Sequence, residues 1–222
     1  MIKNNLISIT LKLLFHTRSF SFIAFLIFLS ICFPRAYATE SGIFNFSNIN
    51  LKNGLSQLSV LAIAQDSKGY IWFATRNGLN KYDGEKFTIY KHDNDDPHSL
   101  SDNHITCLLP DDANEGLWVG TNNGLNYINL KTNQITKYQT DDYPNMPGNN
   151  IAVLQFDQSG NLWVGTRTGL CIWQPRSGEF KKKYSDHVPE NEAIMQLYMM
   201  QKNGFILVLI VTDYLSVHLK WS

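Results

Sequence analysis

The chain has 222 residues, 44% of them hydrophobic and 17% charged, with 19 basic residues balanced by 19 acidic ones. That balance excludes the clustered positive face with which a protein grips nucleic acid or an anionic membrane. The three cysteines lack the Cys and His company of a zinc site.

Residues 1–38 have the pattern of an export signal. A basic start (Lys3, Lys12, Arg18) leads into the apolar run Phe20 to Phe33, and Ala36-Tyr37-Ala38 supplies an A-x-A cleavage site before Thr39. The run falls short of the roughly 20 residues that span a bilayer, so cleavage is expected over retention as an inner-membrane anchor. Cys32 follows Ile31 where a lipoprotein signal wants a small residue. Removing Lys3, Lys12, Arg18 and Arg35 leaves 15 bases against 19 acids, a mildly acidic product. Lys181-Lys182-Lys183 is its one basic run and reads as a solvated strand end.

Residues 39–53 form a polar lead with Phe44, Phe46 and Ile49 at roughly alternate spacing, a weak strand signal. From Gly54 the chain repeats itself. The stretch G-Y-I-W-F-A-T-R-N-G-L (69–79) returns as G-L-W-V-G-T-N-N-G-L (116–125) and G-N-L-W-V-G-T-R-T-G-L (160–170). Trp72, Trp118 and Trp163 are 46 and 45 residues apart, and Gly78, Gly124 and Gly169 keep the same intervals. A period of that length marks a repeat architecture.

Within the first copy, the apolar run Val60 to Gln65 and the both-sides-apolar run Tyr70 to Ala74 read as strands. Asp66-Ser67-Lys68-Gly69 turns between them, because Asp bonds backbone donors two residues on. Asn77-Gly78 is a hairpin signal, Leu79 to Tyr82 a third strand, and Lys86 to Tyr90 a fourth after Asp83-Gly84. The second unit, 104–139, predicts strands at Ile105–Leu109, Leu117–Thr121, Leu125–Asn129 and Gln134–Gln139, and the third spans 150–184. The connectors from Lys91 to Asn103 and from Thr140 to Asn149 are polar passages. The carboxylates of the first lack the order of a calcium loop. Aligning the copies sets Cys107 against Ala62 and Val153, and Cys171 against Asn80 and Asn126, which predicts two buried free thiols in different strands.

Four antiparallel strands per repeat match a β-propeller blade. The predicted fold is all-β: a partial propeller of three complete blades (54–92, 104–139, 150–184) and a broken fourth in 188–222. Apolar residues on both strand faces fit blades sandwiched between blades, with the tryptophans filling the gaps. The fourth unit starts on schedule at Ile194. Counting from Gly204 then puts Leu207 where tryptophan is expected, with no Gly-Leu pair after it. A frameshift near Phe205–Leu207 accounts for this, since Leu-Val can be encoded with TGG one base out of frame. The alternative is a genuine divergent edge strand, and resequencing separates the two.

Residues 66–84 (D-S-K-G-Y-I-W-F-A-T-R-N-G-L-N-K-Y-D-G) and 157–170 (D-Q-S-G-N-L-W-V-G-T-R-T-G-L), with G-L-S-Q-L-S-V from Gly54, resemble the two-component regulator propeller repeat over about 50–185. The resemblance implies the periplasmic sensor region of a large bacterial signalling protein. Relatives carry further blades, an immunoglobulin-like domain, a membrane helix and a histidine kinase or diguanylate cyclase output. Neither output motif is present in this sequence. The resemblance also implies an oligosaccharide or other small periplasmic ligand. It carries over no ligand-binding residues position by position, and Arg76 and Arg167, beside the hairpin turns, are the candidate face contacts.

The leading expectation is therefore a non-catalytic sensory module without its output domain, with no catalytic residue, cofactor or metal, and with self-association through open blade edges. One alternative is an enzyme like the propeller lyases, whose histidines would have to come from His92, His98, His104, His187 and His218. No phosphate loop, G-x-S-x-G elbow or H-E-x-x-H accompanies them. The other alternative is the non-functional product of a truncated gene.

Overall fold

A computed structural model of the chain describes residues 48–182, 193–202, 205–212 and 217–221, all within the compact unit Asn48–Ser222. The export signal, the lead as far as Ser47, and His187 lie outside the described residues.

Four antiparallel sheets follow one another. Blade 1 is β1 (Val60–Gln65), β2 (Ile71–Thr75), β3 (Gly78–Tyr82) and β4 (Phe87–Tyr90). Blade 2 is β5 (Ile105–Asp111), β6 (Gly116–Thr121), β7 (Gly124–Asn129) and β8 (Ile135–Tyr138). Blade 3 is β9 (Ile151–Phe156), β10 (Leu162–Thr166), β11 (Gly169–Gln174) and β12 (Glu179–Lys182). The last sheet has three strands, β13 (Ile194–Lys202), β14 (Phe205–Thr212) and β15 (Val217–Trp221). In every sheet the strands neighbour one another in chain order. β1 stands beside β5, β5 beside β9, and β9 beside β13, so the blades fan out from a shared inner edge. This is the expected partial propeller.

Local chemistry explains why each copy folds alike. In the β2–β3-type hairpin of each of the first three blades a threonine bonds both ways: Thr75 Oγ1 accepts from Asn77 N at 3.1 Å and donates to Gly78 O at 2.8 Å. Thr121 and Thr166 do the same around Gly124 and Gly169. Gly78 takes a φ of 116°, a left-handed value, and a Cβ there would lie 2.8 Å from Tyr90 O. Only glycine tolerates both conditions.

A bulge recurs between Val60 and Ala62, Ile105 and Cys107, Ile151 and Val153, and Ile194 and Gln196. Beside it the cross-strand pairs are Ala62 with Ala74, Cys107 with Gly120, and Val153 with Gly165. A larger residue on the first strand thus meets glycine on the second. A Cβ on Gly165 would come within 2.6 Å of Val153 Cγ1 and 2.8 Å of Ile194 Cγ2.

Three interblade cores hold the arc. Trp72, Ala74 and Leu79 pack with Leu117, Val119 and Ile128 between blades 1 and 2. Trp118, Leu125 and Tyr138 pack with Leu154, Leu162, Val164 and Trp173 between blades 2 and 3. Trp163 and Leu170 pack with Ile194 and Leu197 between blades 3 and 4. Each tryptophan therefore faces the following blade and is buried there, as the repeat predicted. Full burial of such side chains is among the larger single contributions a core can receive.

The connectors hold more than polar passages. Leu100 and Met146 are buried in these cores, as Leu55 is before blade 1. Ser56 N donates to Asn80 Oδ1 at 2.8 Å, and Ser101 N to Asn126 Oδ1 at 2.9 Å, pinning each lead to its own blade. Blade 3 has Pro147 and Cys171 at those positions and ties its lead instead through Thr168 Oγ1, which donates to Pro147 O at 2.7 Å. Both described cysteines, Cys107 and Cys171, are free. Cys171 is buried, whereas Cys107 is partly exposed rather than fully buried. Burial pushes the Cys107 thiol up to about 12.

The fourth sheet changes one reading. Ile194 pairs with Thr212 as Ile151 pairs with Thr166, and Tyr198 pairs with Leu209 as Gln155 pairs with Trp163. Leu209, not Leu207, therefore occupies the tryptophan position, and Thr212 occupies the threonine position. Counting from Gly204 misplaced it because the β13–β14 ladder runs three pairs past Met199 with Val208, the counterpart of Phe156 with Leu162, to Lys202 with Phe205, so more residues separate the matching partners than in blade 3. On the other side Val211 pairs with Val217 and Gly165 with Leu170, so this hairpin is one residue longer.

Candidate functional site

The Asp turn between the first and second strands of blades 1 to 3 makes a clasp in blades 1 and 3. Asp66 Oδ1 accepts from Lys68 N and Tyr70 N, each at 3.0 Å, and its Oδ2 accepts from Trp72 Nε1 at 2.8 Å. Asp157 accepts from Ser159 N, Asn161 N and Asn161 Nδ2, each at 2.9 Å, and from Trp163 Nε1 at 3.1 Å. Partial burial pushes the Asp157 carboxyl up, but these hydrogen bonds outweigh it and hold the group below its ordinary value.

Blade 2 breaks the clasp. Its turn, Asp111-Asp112-Ala113-Asn114-Glu115-Gly116, sets aspartate and tryptophan seven residues apart instead of six and contains a short 3-10 turn, Asp112–Asn114. Asp111 bonds Asn114 instead, through the backbone N at 3.3 Å and Nδ2 at 3.0 and 2.9 Å. It also engages the hydroxyl of Tyr127, which stands beside Trp118 where the other blades have Lys81 and Ile172. Burial, and then the charge and hydrogen bond of Asp111, push the Tyr127 phenol up to about 12, so it stays protonated. Trp118 Nε1 is left buried with no hydrogen-bond partner. An orphaned buried donor is costly and calls for an explanation.

At this point a cleft of about 510 Å³ opens between blades 2 and 3. Its walls include Asp111, Asn114, Trp118, Tyr127, Tyr138 and Trp173. The rings form one connected cluster: Trp118 to Tyr127 at 4.7 Å, Trp118 to Trp173 at 6.3 Å edge-on, Tyr138 to Trp173 at 5.0 Å and Trp173 to Phe180 at 4.8 Å. A polar shelf adjoins it across Asn114, Gly160 and Pro175 and carries Gln158, Gln174 and Arg176. Aromatic walls with a few fixed polar groups are the usual makeup of a small-molecule site.

The residues considered from the sequence lie elsewhere. Arg76 and Arg167 are exposed on the β2–β3 and β10–β11 hairpins, at the opposite strand ends from the Asp turns. His92 is tied to Leu100 O at 2.6 Å and Asn94 Oδ1 at 2.9 Å, and His104 to Asn122 Nδ2 at 2.8 Å. His98 lies in the connector between β4 and β5, and His218 in β15. No cluster of three or more metal-ligating side chains occurs among the described residues, and no described helix is long and apolar enough to cross a membrane. The cleft itself went unread in the sequence. The signal available was the one-residue insertion between Asp111 and Trp118 together with Tyr127.

Comparison with known proteins places the repeats. The two-component regulator propeller model matches residues 54–77, 99–123 and 145–168, beginning in each case at the lead that the Leu55, Leu100 and Met146 side chains anchor. A 58-residue stretch is 47% identical to histidine kinase P4 of Formosa agariphila, covering 26% of this chain and 4% of that protein. The crystal structure of the extracellular domain of a protein described as a hybrid two-component system of B. thetaiotaomicron superposes with a TM-score of 0.66 at 25% identity, over 78% of this chain and 26% of that one. YCF48 from Cyanidioschyzon merolae shares the fold alone, with a TM-score of 0.50 at 14% identity over 75% of this chain and 52% of its own. The chain thus spans about a quarter of the solved sensor domain it resembles and a small part of the kinase. The three stretches 54–77, 99–123 and 145–168 thus match the two-component regulator propeller repeat.

Proposed function

We propose that this chain is a non-catalytic sensory propeller segment, working in the periplasm, that takes a small ligand in the cleft between blades 2 and 3. The observation that carries the reading is the broken Asp–Trp clasp of blade 2. In blades 1 and 3 the same aspartate is used in closing its own blade and accepts from the indole of Trp72 or Trp163. In blade 2 the indole of Trp118 is unpaired beside a cleft. A ligand with an acceptor atom and a flat apolar face would satisfy that donor and stack on the rings. An oligosaccharide has both features, and its hydroxyls suit Asp111 and Asn114. The similarity to extracellular domains of two-component systems supports a sensory role. Any kinase or cyclase output would be supplied outside these residues.

The test is a titration of the full chain with a panel of oligosaccharides, followed by intrinsic tryptophan fluorescence. A saturable change that weakens at least about tenfold in Asn114→Ala and Tyr127→Phe, each removing one polar contact, is expected. Absence of binding across the panel, or binding that both variants leave intact, rejects the assignment.

A further inference from the structure

The cleft between blades 2 and 3 runs on into the polar shelf, with Asn114, Gly160 and Pro175 common to both. The two ends differ in charge. Asp111 and Asp112 line the cleft and not the shelf, whereas Arg176 is the one charged residue among the described residues that line the shelf. Arg176 is exposed and pairs with no carboxylate among the described residues.

Register explains why that guanidinium is unspent. The turns after β7 and β11 are built alike: Ile128 pairs with Ile135 and Trp173 with Phe180, and Asn133 N and Gly178 N donate to Asn129 O and Gln174 O at 2.8 and 2.9 Å. Lys131 and Arg176 therefore hold the same position, each two residues past the end of its strand. In blade 2 that cation is neutralised inside the blade, with Lys131 Nζ 3.0 Å from Glu115 Oε1. Glu115 stands three residues before Trp118, and the residue three before Trp163 is Gly160. Both take a left-handed φ, 49° and 79°, so they are the same point of the two turns. Blade 3 has thus kept the cation and lost its carboxylate. Asp157, the acid of that turn, does not line the shelf and is committed to the clasp with Trp163.

We propose that the ligand of this groove is an acidic oligosaccharide, with a neutral ring in the cleft and an anionic group, a uronate carboxylate or a sulfate ester, on Arg176. The inference rests on the reading of the cleft as the ligand site. The neutral ring supplies the acceptor that the buried Trp118 Nε1 lacks, and its hydroxyls face Asp111 and Asp112. An anion at that end would meet those carboxylates, so the charges fix which way round the ligand lies. At the other end the guanidinium presents a planar fork of donors that matches an oxyanion two bonds at a time.

The experiment is calorimetric titration of the full chain with trigalacturonate and its carboxyl-reduced form, and with a sulfated galactose trisaccharide and its desulfated form. One charged sugar should bind about fivefold more tightly than its neutral twin, as one well-formed exposed ion pair allows. Arg176→Gln should erase that difference, and Arg176→Lys should keep part of it. Lys131→Gln, on the already neutralised turn of blade 2, should leave it whole, and added salt should shrink it. Which charged sugar shows the preference tells a carboxylate from a sulfate. Neutral sugars that bind as tightly as their charged twins, or a preference that survives Arg176→Gln, overturn the acidic assignment and leave the reading of the cleft standing. Binding of none of the four overturns both.

Discussion

Blades 1 and 3 and blade 2 answer the same problem in two ways. All three must bury an indole whose N–H needs an acceptor, and all three begin with an aspartate turn. In blades 1 and 3 the aspartate lies six residues before the tryptophan and reaches it while capping its own turn. In blade 2 one added residue and the neighbouring Tyr127 divert the carboxylate, and a cleft appears where the clasp would have been. The lesson is that a repeat can be altered at a single turn without loss of the blade, because the cross-strand ladder and interblade core carry most of the stability.

Substitution of the tryptophans tests this most strongly. Trp72→Phe should destabilise by about 3 kcal/mol, since it leaves a cavity and takes from the buried Asp66 Oδ2 its donor. Trp118→Phe removes an indole N–H that has no partner and should cost about 1 kcal/mol or less. Paired denaturant titrations measure both, and equal losses would mean that blade 2 has an acceptor after all.

The interblade core is probed by Gly120→Ala, whose new methyl would meet Ile151 Cγ2 at 2.8 Å and collide with Cys107 Sγ. A loss of about 2 kcal/mol is expected. Adding Cys107→Ala recreates the Ala62 and Ala74 pair of blade 1 and should recover more than half of the loss in a double-mutant cycle.

The smallest effect is in pH. Asp157 is held below its ordinary value in the folded state, so its contribution is complete only well above the unfolded carboxyl's value, where the group is ionised in both states. As pH falls below 3.8 the unfolded chain takes up the proton first, and the contribution is lost as pH falls through the folded value. The stability gap between the wild type and Asp157→Asn should therefore stay level above about pH 5 and narrow below it. A gap that widens in acid would refute the clasp as described.

Much of the architecture was legible in the residues. The Trp and Gly-Leu intervals, the Asp turns and the T-x-x-G hairpins each encode a contact within a few residues of itself, so strands and blades could be read locally. The buried connector residues Leu100 and Met146 went unread although they keep the repeat interval from Leu55, because a single apolar residue in a polar passage does not show that it reaches a core. The position of Leu209 was likewise misread, since register depends on the length of the turn rather than on the distance from a glycine.

The sequence by itself determined the repeat, its four-stranded unit and the sandwiching of blades, because periodicity and turn chemistry are local properties. Only the tertiary structure decided that Asp111 deserts Trp118, that the second and third blades part to form a cleft, and that Leu100 and Met146 reach the interblade cores. Each of those depends on which side chain from a neighbouring strand or blade arrives at a given point. Such arrivals are set by long-range packing, which no local pattern records.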